Sequence, residues 1–159
     1  MGFPLNVLLK SNGTEKGVIK MAYTYTTWTP DLITGHDLID TQHQEWITAV
    51  NNLYDAQRSG VGAQEVEKVM VFLVDYTAKH FAEEEALQKE HGYPNYFGHK
   101  QIHADFTVQV KDLAKELRLS GPTDDLISHV CQTIGRWVVN HIKSNDIKMA
   151  AYIRSQEEQ

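Results

Sequence analysis

Between Tyr96 and Leu119 one set of positions recurs with a helical rhythm: His99, His103, Phe106, Val110, Leu113 and Leu117, at steps of 4, 3, 4, 3 and 4. Those steps keep one stripe of side chains on one side of an α-helix and are incompatible with the two-residue alternation of a strand. Three further segments carry the same period. The first runs from about Leu38 to Gln57, with Ile39, Trp46, Val50 and Leu53 in its stripe. The second runs from about Ala63 to Glu90, through Val66, Val69, Leu73, Tyr76, His80, Glu84 and Leu87. The last begins near Thr123, a candidate N-cap after Pro122. It carries Leu126, Val130, Ile134, Trp137 and His141 and reaches about Arg154. The breaks RSGVG, HGYPN and SGPTDD are short. Helices of about twenty residues span about 30 Å, and short connections between them force antiparallel neighbours. The expected fold is all-α, an up-down-up-down antiparallel four-helix bundle.

A chain of 159 residues suits one such core. Residues 1–22 lack helical period and contain the breakers SNG and KG. They read as an N-terminal tail or linker, with Met21 an alternative start. Residues 23–159 then form the helical domain, led in by an extended stretch punctuated by Pro30 and Gly35. Fifteen basic residues face twenty-one acidic ones, a formal charge of -6, which argues against a nucleic-acid partner. No apolar run has membrane-spanning length, and no secretory signal is evident. A single cysteine, Cys131, excludes an internal disulfide framework and fits a reducing, cytoplasmic location.

The stripes contain an anomaly. His43, His80, Glu84, His99, His103 and His141 all fall on core-facing positions, and every helix contributes at least one. Burying unpaired carboxylates and imidazoles costs several kcal/mol unless something compensates. Bound metal does so, because neutral imidazole and carboxylate are ready-made ligands. The depths agree: His43 lies early in the first helix, His80 and Glu84 late in the second, His99 and His103 early in the third, His141 late in the fourth. In an antiparallel bundle these positions share one end. Five imidazoles with a carboxylate exceed the needs of one ion and suit two. The absence of cysteine from the set disfavours a thiolate zinc or iron–sulfur site. Spacing alone leaves iron, manganese, copper and zinc open.

A lone first-helix histidine followed by HFAEE, HKQIH and HIKSND resembles the bacterial branch of the hemerythrin family, over about Trp28 to Ile153. The resemblance implies two non-heme irons that bind dioxygen reversibly. It assigns His99, His103 and His141 to a six-coordinate iron, and His43 and His80 to a second iron with one open position for dioxygen. It makes Glu84 and Asp146 bridges, with an oxo or hydroxo group as a third. Asp146 comes from the resemblance alone. Five residues beyond His141 is about 140° around an ideal helix, so Asn145 fits the geometry better unless the helix is distorted there.

An oxygen site needs dry walls. The expected walls are Phe81 and Ile142, each adjacent to a ligand, and Trp137, one turn before His141, with contributions from Trp46 and Ile102. His36, His91 and His129 fall outside the pattern and read as surface or supporting residues. Glu83 and Glu85 read as solvated, and Cys131 as a small buried residue. The function implied is reversible dioxygen binding, as carrier, store or sensor. The alternative is a di-iron redox enzyme acting as oxidase, peroxidase or nitric oxide-handling protein. Ferritin-like oxygen-activating enzymes are richer in carboxylates, which favours the first.

Overall fold

A computed structural model describes residues 23–158. The expected tail at 1–22 lies outside the described residues. An extended lead-in from Tyr23 passes through a 3-10 turn at Pro30–Leu32 and reaches α1 (Asp37–Arg58). There follow α2 (Ala63–Glu90), α3 (Tyr96–Ser120) and α4 (Asp124–His141). A π-helical segment, Ile142–Asp146, joins α4 to α5 (Ile147–Glu157) without a change of direction into a loop. Helix α1 packs against α2 and α4, α2 against α3, and α3 against α4. The up-down-up-down bundle expected from the period is the observed fold.

Local chemistry explains the joints. Gly35 has a φ of +80°, which a side chain rarely adopts, and turns the lead-in towards α1. Asp40, in the first turn of α1, locks that turn by accepting the Thr34 N–H and Oγ1–H, both at 2.8 Å, and the Gly35 N–H at 3.0 Å. Gly121, with φ +77°, ends α3. Thr123 then caps α4 as its sequence suggests, its Oγ1 accepting the Leu126 N–H at 3.2 Å.

The predicted stripes are the core. The whole α3 series from His99 to Leu117 is buried, as are Ile39, Trp46, Val50, Leu53, Val66, Leu73, Tyr76, Val130 and Ile134. Val69, Leu87, Leu126 and Trp137 sit at the flanks of their stripes and are half-buried. The lead-in is held too. Asn51 accepts the Tyr23 hydroxyl at 2.7 Å and the Thr26 N–H at 3.1 Å, and returns a bond to the Thr26 carbonyl at 2.9 Å. Gly135 lets it lie close to α4: a Cβ there would fall 2.2 Å from Thr26 Oγ1.

One expectation about the fourth helix changes. It does not run as one α-helix to Arg154 but widens into the π segment immediately after His141. Such single wide turns are rare and concentrate at functional positions. No helix among the described residues is long and apolar enough to cross a membrane.

Candidate metal centre

All six stripe residues and Asp146 meet at one end of the bundle, each no more than 3% exposed. Their ligand atoms form two overlapping groups. Glu84, His99, His103, His141 and Asp146 make one; His43, His80, Glu84 and Asp146 make the other. The two carboxylates belong to both. Histidines divide three to two.

The π segment explains how Asp146 joins them. A π turn closes on the fifth residue rather than the fourth, so it brings Asp146 back over His141. Asp146 Oδ1 lies 3.0 Å from His141 Nε2 and 3.1 Å from His99 Nε2, and Oδ2 lies 3.1 Å from His43 Nε2. Asn145, the better candidate on an ideal helix, instead places its amide 3.3 Å from the other ring nitrogen of His141. One distorted turn thus serves both ring nitrogens of the same imidazole.

The inner atoms fit ions rather than one another. His141 Nε2 lies 2.9 Å from His99 Nε2 and 3.0 Å from His103 Nε2. Glu84 Oε1 lies 3.0 Å from His99 Nε2, and Glu84 Oε2 lies 3.3 Å from His80 Nε2. Neighbouring ligands of an octahedral ion with bonds of about 2.1 Å stand about 3.0 Å apart. His43 Nε2, His80 Nε2, Glu84 Oε2 and both Asp146 carboxylate oxygens are buried without a hydrogen-bond partner. Buried polar atoms are normally paired. Here the oxygens and nitrogens approach closely, yet their directions do not make hydrogen bonds, as when lone pairs converge on a shared point. The donor set therefore fits two cations bridged by two carboxylates.

Charge in this cluster is settled by mutual contact. Burial and the nearby Asp146 both oppose ionisation of Glu84, but the closely facing His80 and His99 imidazoles outweigh them and bring it down to about 2. Asp146 is likewise held well below its usual value, against burial, by its electrostatic contact with His141 first and by the closely facing His43 and His99 rings. Burial also opposes the charged form of His99, yet the facing Asp146 and Glu84 carboxylates push it up to about 9. His103 goes the other way: burial dominates and lowers it to about 3. The raised His99 holds a proton between the two ionised carboxylates, a proton that a metal ion displaces.

Four of the five histidines have a partner on the outer ring nitrogen. The His80 Nδ1–H donates to Gln42 Oε1 at 2.9 Å, and Gln42 in turn donates to Glu83. The His103 Nδ1–H donates to Glu85 at 3.2 Å, and Glu85 also accepts from Lys100 at 2.9 Å. Gln88 Nε2 donates to Glu84 Oε1 at 3.0 Å and lies 3.2 Å from His99 Nδ1. Asn145 serves His141. The expectation that Glu83 and Glu85 are merely solvated is corrected: both sit half-buried on α2 and back the histidine shell. They flank Glu84, so their directions straddle the core face rather than oppose it.

Gln42 and Gln88 were not anticipated as part of the site, and Asn145 was weighed only as a rival to Asp146, not as a support for His141. Gln88 and Asn145 carried a signal, since each stands four residues after a core-facing ligand and so extends a polar stripe. Gln42 carried none, because its partner is on another helix. His129 is exposed, His91 bonds its Nδ1 to the Leu87 carbonyl at 3.0 Å, and His36 ends the lead-in; none joins the cluster.

Aromatic rings cover the layer on the core side. Phe81 stacks on His103, with centroids 3.8 Å apart and planes 6° apart. Trp137 stacks on His141 at 4.3 Å and on Phe106 at 3.7 Å. Trp46 lies 5.2 Å from the His80 ring and 5.4 Å from Phe81. Ile142, in the π segment, is 1% exposed and belongs to the same core. Ile102 is only half-buried.

Fold and site together define a histidine-rich, carboxylate-bridged binuclear metal protein built in a four-helix bundle. Residues 34–153 match the family described as the Hemerythrin HHE cation binding domain, and the chain belongs to the hemerythrin family. It is 39% identical over 129 residues to a bacteriohemerythrin of Stenotrophomonas maltophilia, covering 80% of this chain and 81% of that one. A bacteriohemerythrin of Pseudomonas aeruginosa is 34% identical over 122 residues, 77% of each chain. A myohemerythrin of Sipunculus nudus is 29% identical, over 76% of this chain and 88% of its own. The crystal structure of wild-type hemerythrin superposes with a TM-score of 0.72 at 26% identity, covering 82% of this chain and 98% of that one.

Proposed function

We propose that this chain binds dioxygen reversibly at a di-iron centre and acts as an oxygen carrier, store or sensing module in the cytoplasm. One observation carries the reading: two ligand groups share Glu84 and Asp146 but hold three and two histidines. His99, His103 and His141 would hold one iron and His43 and His80 the other, whose group is one side chain shorter and so would leave room for a small exogenous ligand. The pair of irons, when bound, supplies the electrons that dioxygen takes up. Around it the protein's own residues do the rest. Glu84 and Asp146, common to both groups, would balance the charge of the two ions. Gln42 and Glu85 hold the Nδ1–H tautomers of His80 and His103, leaving Nε2 free to ligate. Phe81, Trp137, Ile142 and Trp46 keep bulk water from the pocket.

A redox enzyme of the same construction needs an acid or base free to move protons to a substrate. The two carboxylates nearest the ligands, Glu83 and Glu85, are instead engaged with Gln42 and with His103 and Lys100. That supports binding over turnover.

The test is optical. Reduced, iron-loaded protein is exposed to dioxygen and then stripped of it. A charge-transfer band that appears and disappears over repeated cycles, with two irons per chain throughout, is the expected result. Irreversible conversion on the first exposure, or one iron per chain in fully loaded protein, defeats the proposal. Ile142→Ala tests the wall separately: it should keep two irons while oxidising faster, and an unchanged oxidation rate places Ile142 outside the pocket.

A further inference from the structure

The outer partners of the ligand histidines differ in charge. Gln42, Gln88 and Asn145 present neutral amides to His80, His99 and His141. His103 alone among these four meets a carboxylate, Glu85, at 3.2 Å. Glu85 is not a loose surface acid. Its side chain is 17% exposed, and Lys100, on the facing helix α3, holds its other oxygen at 2.9 Å. Phe81 presses the His103 ring from one face at 3.8 Å. The ring is therefore fixed in plane by stacking and in rotation by the carboxylate, while the inner Nε2 faces the ligand group.

We propose that Glu85 is a positioning residue for the three-histidine half of the centre, acting through His103. It locks the tautomer that turns an unprotonated Nε2 on the ion, and lends that half of the centre a directly bonded negative charge, whereas on the two-histidine half the Glu83 carboxylate reaches His80 only through the neutral Gln42 amide. A carboxylate behind an imidazole makes it a stronger donor than an amide does. The consequence is an electronic asymmetry between the two ions. Iron held by His103 is favoured in its more positive oxidation state, while His80, backed by Gln42, leaves its iron closer to neutral tuning. Lys100 moderates the effect and keeps the Glu85 side chain from swinging to solvent.

This inference rests on the di-iron reading above, and its test is separable from it. Wild type, Glu85→Gln, Glu85→Leu and Glu116→Gln are compared for iron content, iron retention against a chelator and midpoint potential of the centre. Glu116 is exposed on α3 and gives the same change in net charge without touching the site. Glu85→Gln keeps an acceptor and the shape, so it should hold two irons but show a more positive potential than Glu116→Gln. Glu85→Leu removes the acceptor and should bind iron about 10–100-fold more weakly. A Glu85→Gln potential equal to that of Glu116→Gln, or iron retention in Glu85→Leu equal to wild type, overturns the proposal. Wild-type protein holding other than two irons would overturn the di-iron reading instead.

Discussion

The bundle has two ends made from the same four helices. At one end the start of α1, the end of α2, the start of α3 and the end of α4 supply His43, His80, Glu84, His99, His103 and His141. At the other, the same helices reversed supply Leu53, Val66, Met70, Leu113, Leu117, Ile127 and Val130, all 7% exposed or less. Both ends are buried, but different forces hold them. Each aliphatic side chain gains about 1.5–3 kcal/mol by leaving water and asks nothing of its neighbours but shape. The imidazoles and carboxylates lose hydration on burial and recover it only through one another and through ions. One end is self-sufficient; the other is complete only with metal.

The largest effect that can break this comparison is metal removal. At a thousandfold excess over its Kd, a ligand that binds only the folded state adds about 4 kcal/mol. For a domain of this size that amounts to roughly 8–16 °C in Tm. Chelation should lower Tm by this order, and hydrogen exchange should show where. Amides around His80, His99 and the 142–146 turn should lose protection while those near Leu73, Leu113 and Ile127 keep it. Uniform loss at both ends would mean that the aliphatic end does not stand alone.

The two ends were also unequally legible in sequence. The aliphatic end follows from period alone, because every Leu, Val or Ile of the stripes needs only the same side of a helix. At the metal end, period found six of the seven inner residues, since a buried polar residue on an apolar stripe is visible as an exception. Asp146 was visible only through resemblance. Its place depends on a π turn, and one wider turn shifts phase without leaving a mark in composition. The supporting shell was the least legible. Glu85 sits beside Glu84, about 100° around the helix from the core face, where period alone does not say whether a side chain meets a neighbour or solvent, and Gln42 acts across helices. Such contacts depend on how helices are rotated against each other, which a single periodicity does not encode.

Next in size is a cavity at the aliphatic end. Leu73 is fully buried. Leu73→Ala should cost about 2–5 kcal/mol, measured by denaturant unfolding of the iron-loaded protein. Iron content should stay at two per chain. A fall in iron content would show that the aliphatic end does more than hold the helices together.

Gly135 sharpens the boundary between the ends. It lies on α4 before His141, and its bare backbone accommodates Thr26 of the lead-in. With a Cβ 2.2 Å from Thr26 Oγ1, Gly135→Ala must displace that segment. Overpacking costs about 1–3 kcal/mol, offset in part by alanine's better helix propensity of about 1 kcal/mol. The lead-in also carries Trp28, whose ring centroid lies 6.4 Å from that of His43. Displacement should therefore be felt at the metal end, as faster iron loss to a chelator. Lower Tm with unchanged iron loss would make the lead-in a strap for the bundle alone.

The smallest effect belongs to the cap of α4. Thr123 begins that helix at the aliphatic end, and its Oγ1 accepts the Leu126 N–H at 3.2 Å, a long bond for this contact. The side chain is exposed, so water partly replaces what Thr123→Ala removes. Losing such a cap costs about 0.5–2 kcal/mol, and the long, wet bond argues for the lower half of that range. A Tm lower by roughly 1–4 °C should result. Between Thr123 and His141 lie five turns of α4, anchored by Ile127, Val130, Ile134 and Val138, all fully buried. Fraying at the cap should stop at the first of these anchors and leave His141 undisturbed. Iron retention in Thr123→Ala should therefore equal wild type even where Tm falls. Faster iron loss would mean that α4 transmits disorder along its whole length, and that the two ends behave as one cooperative unit.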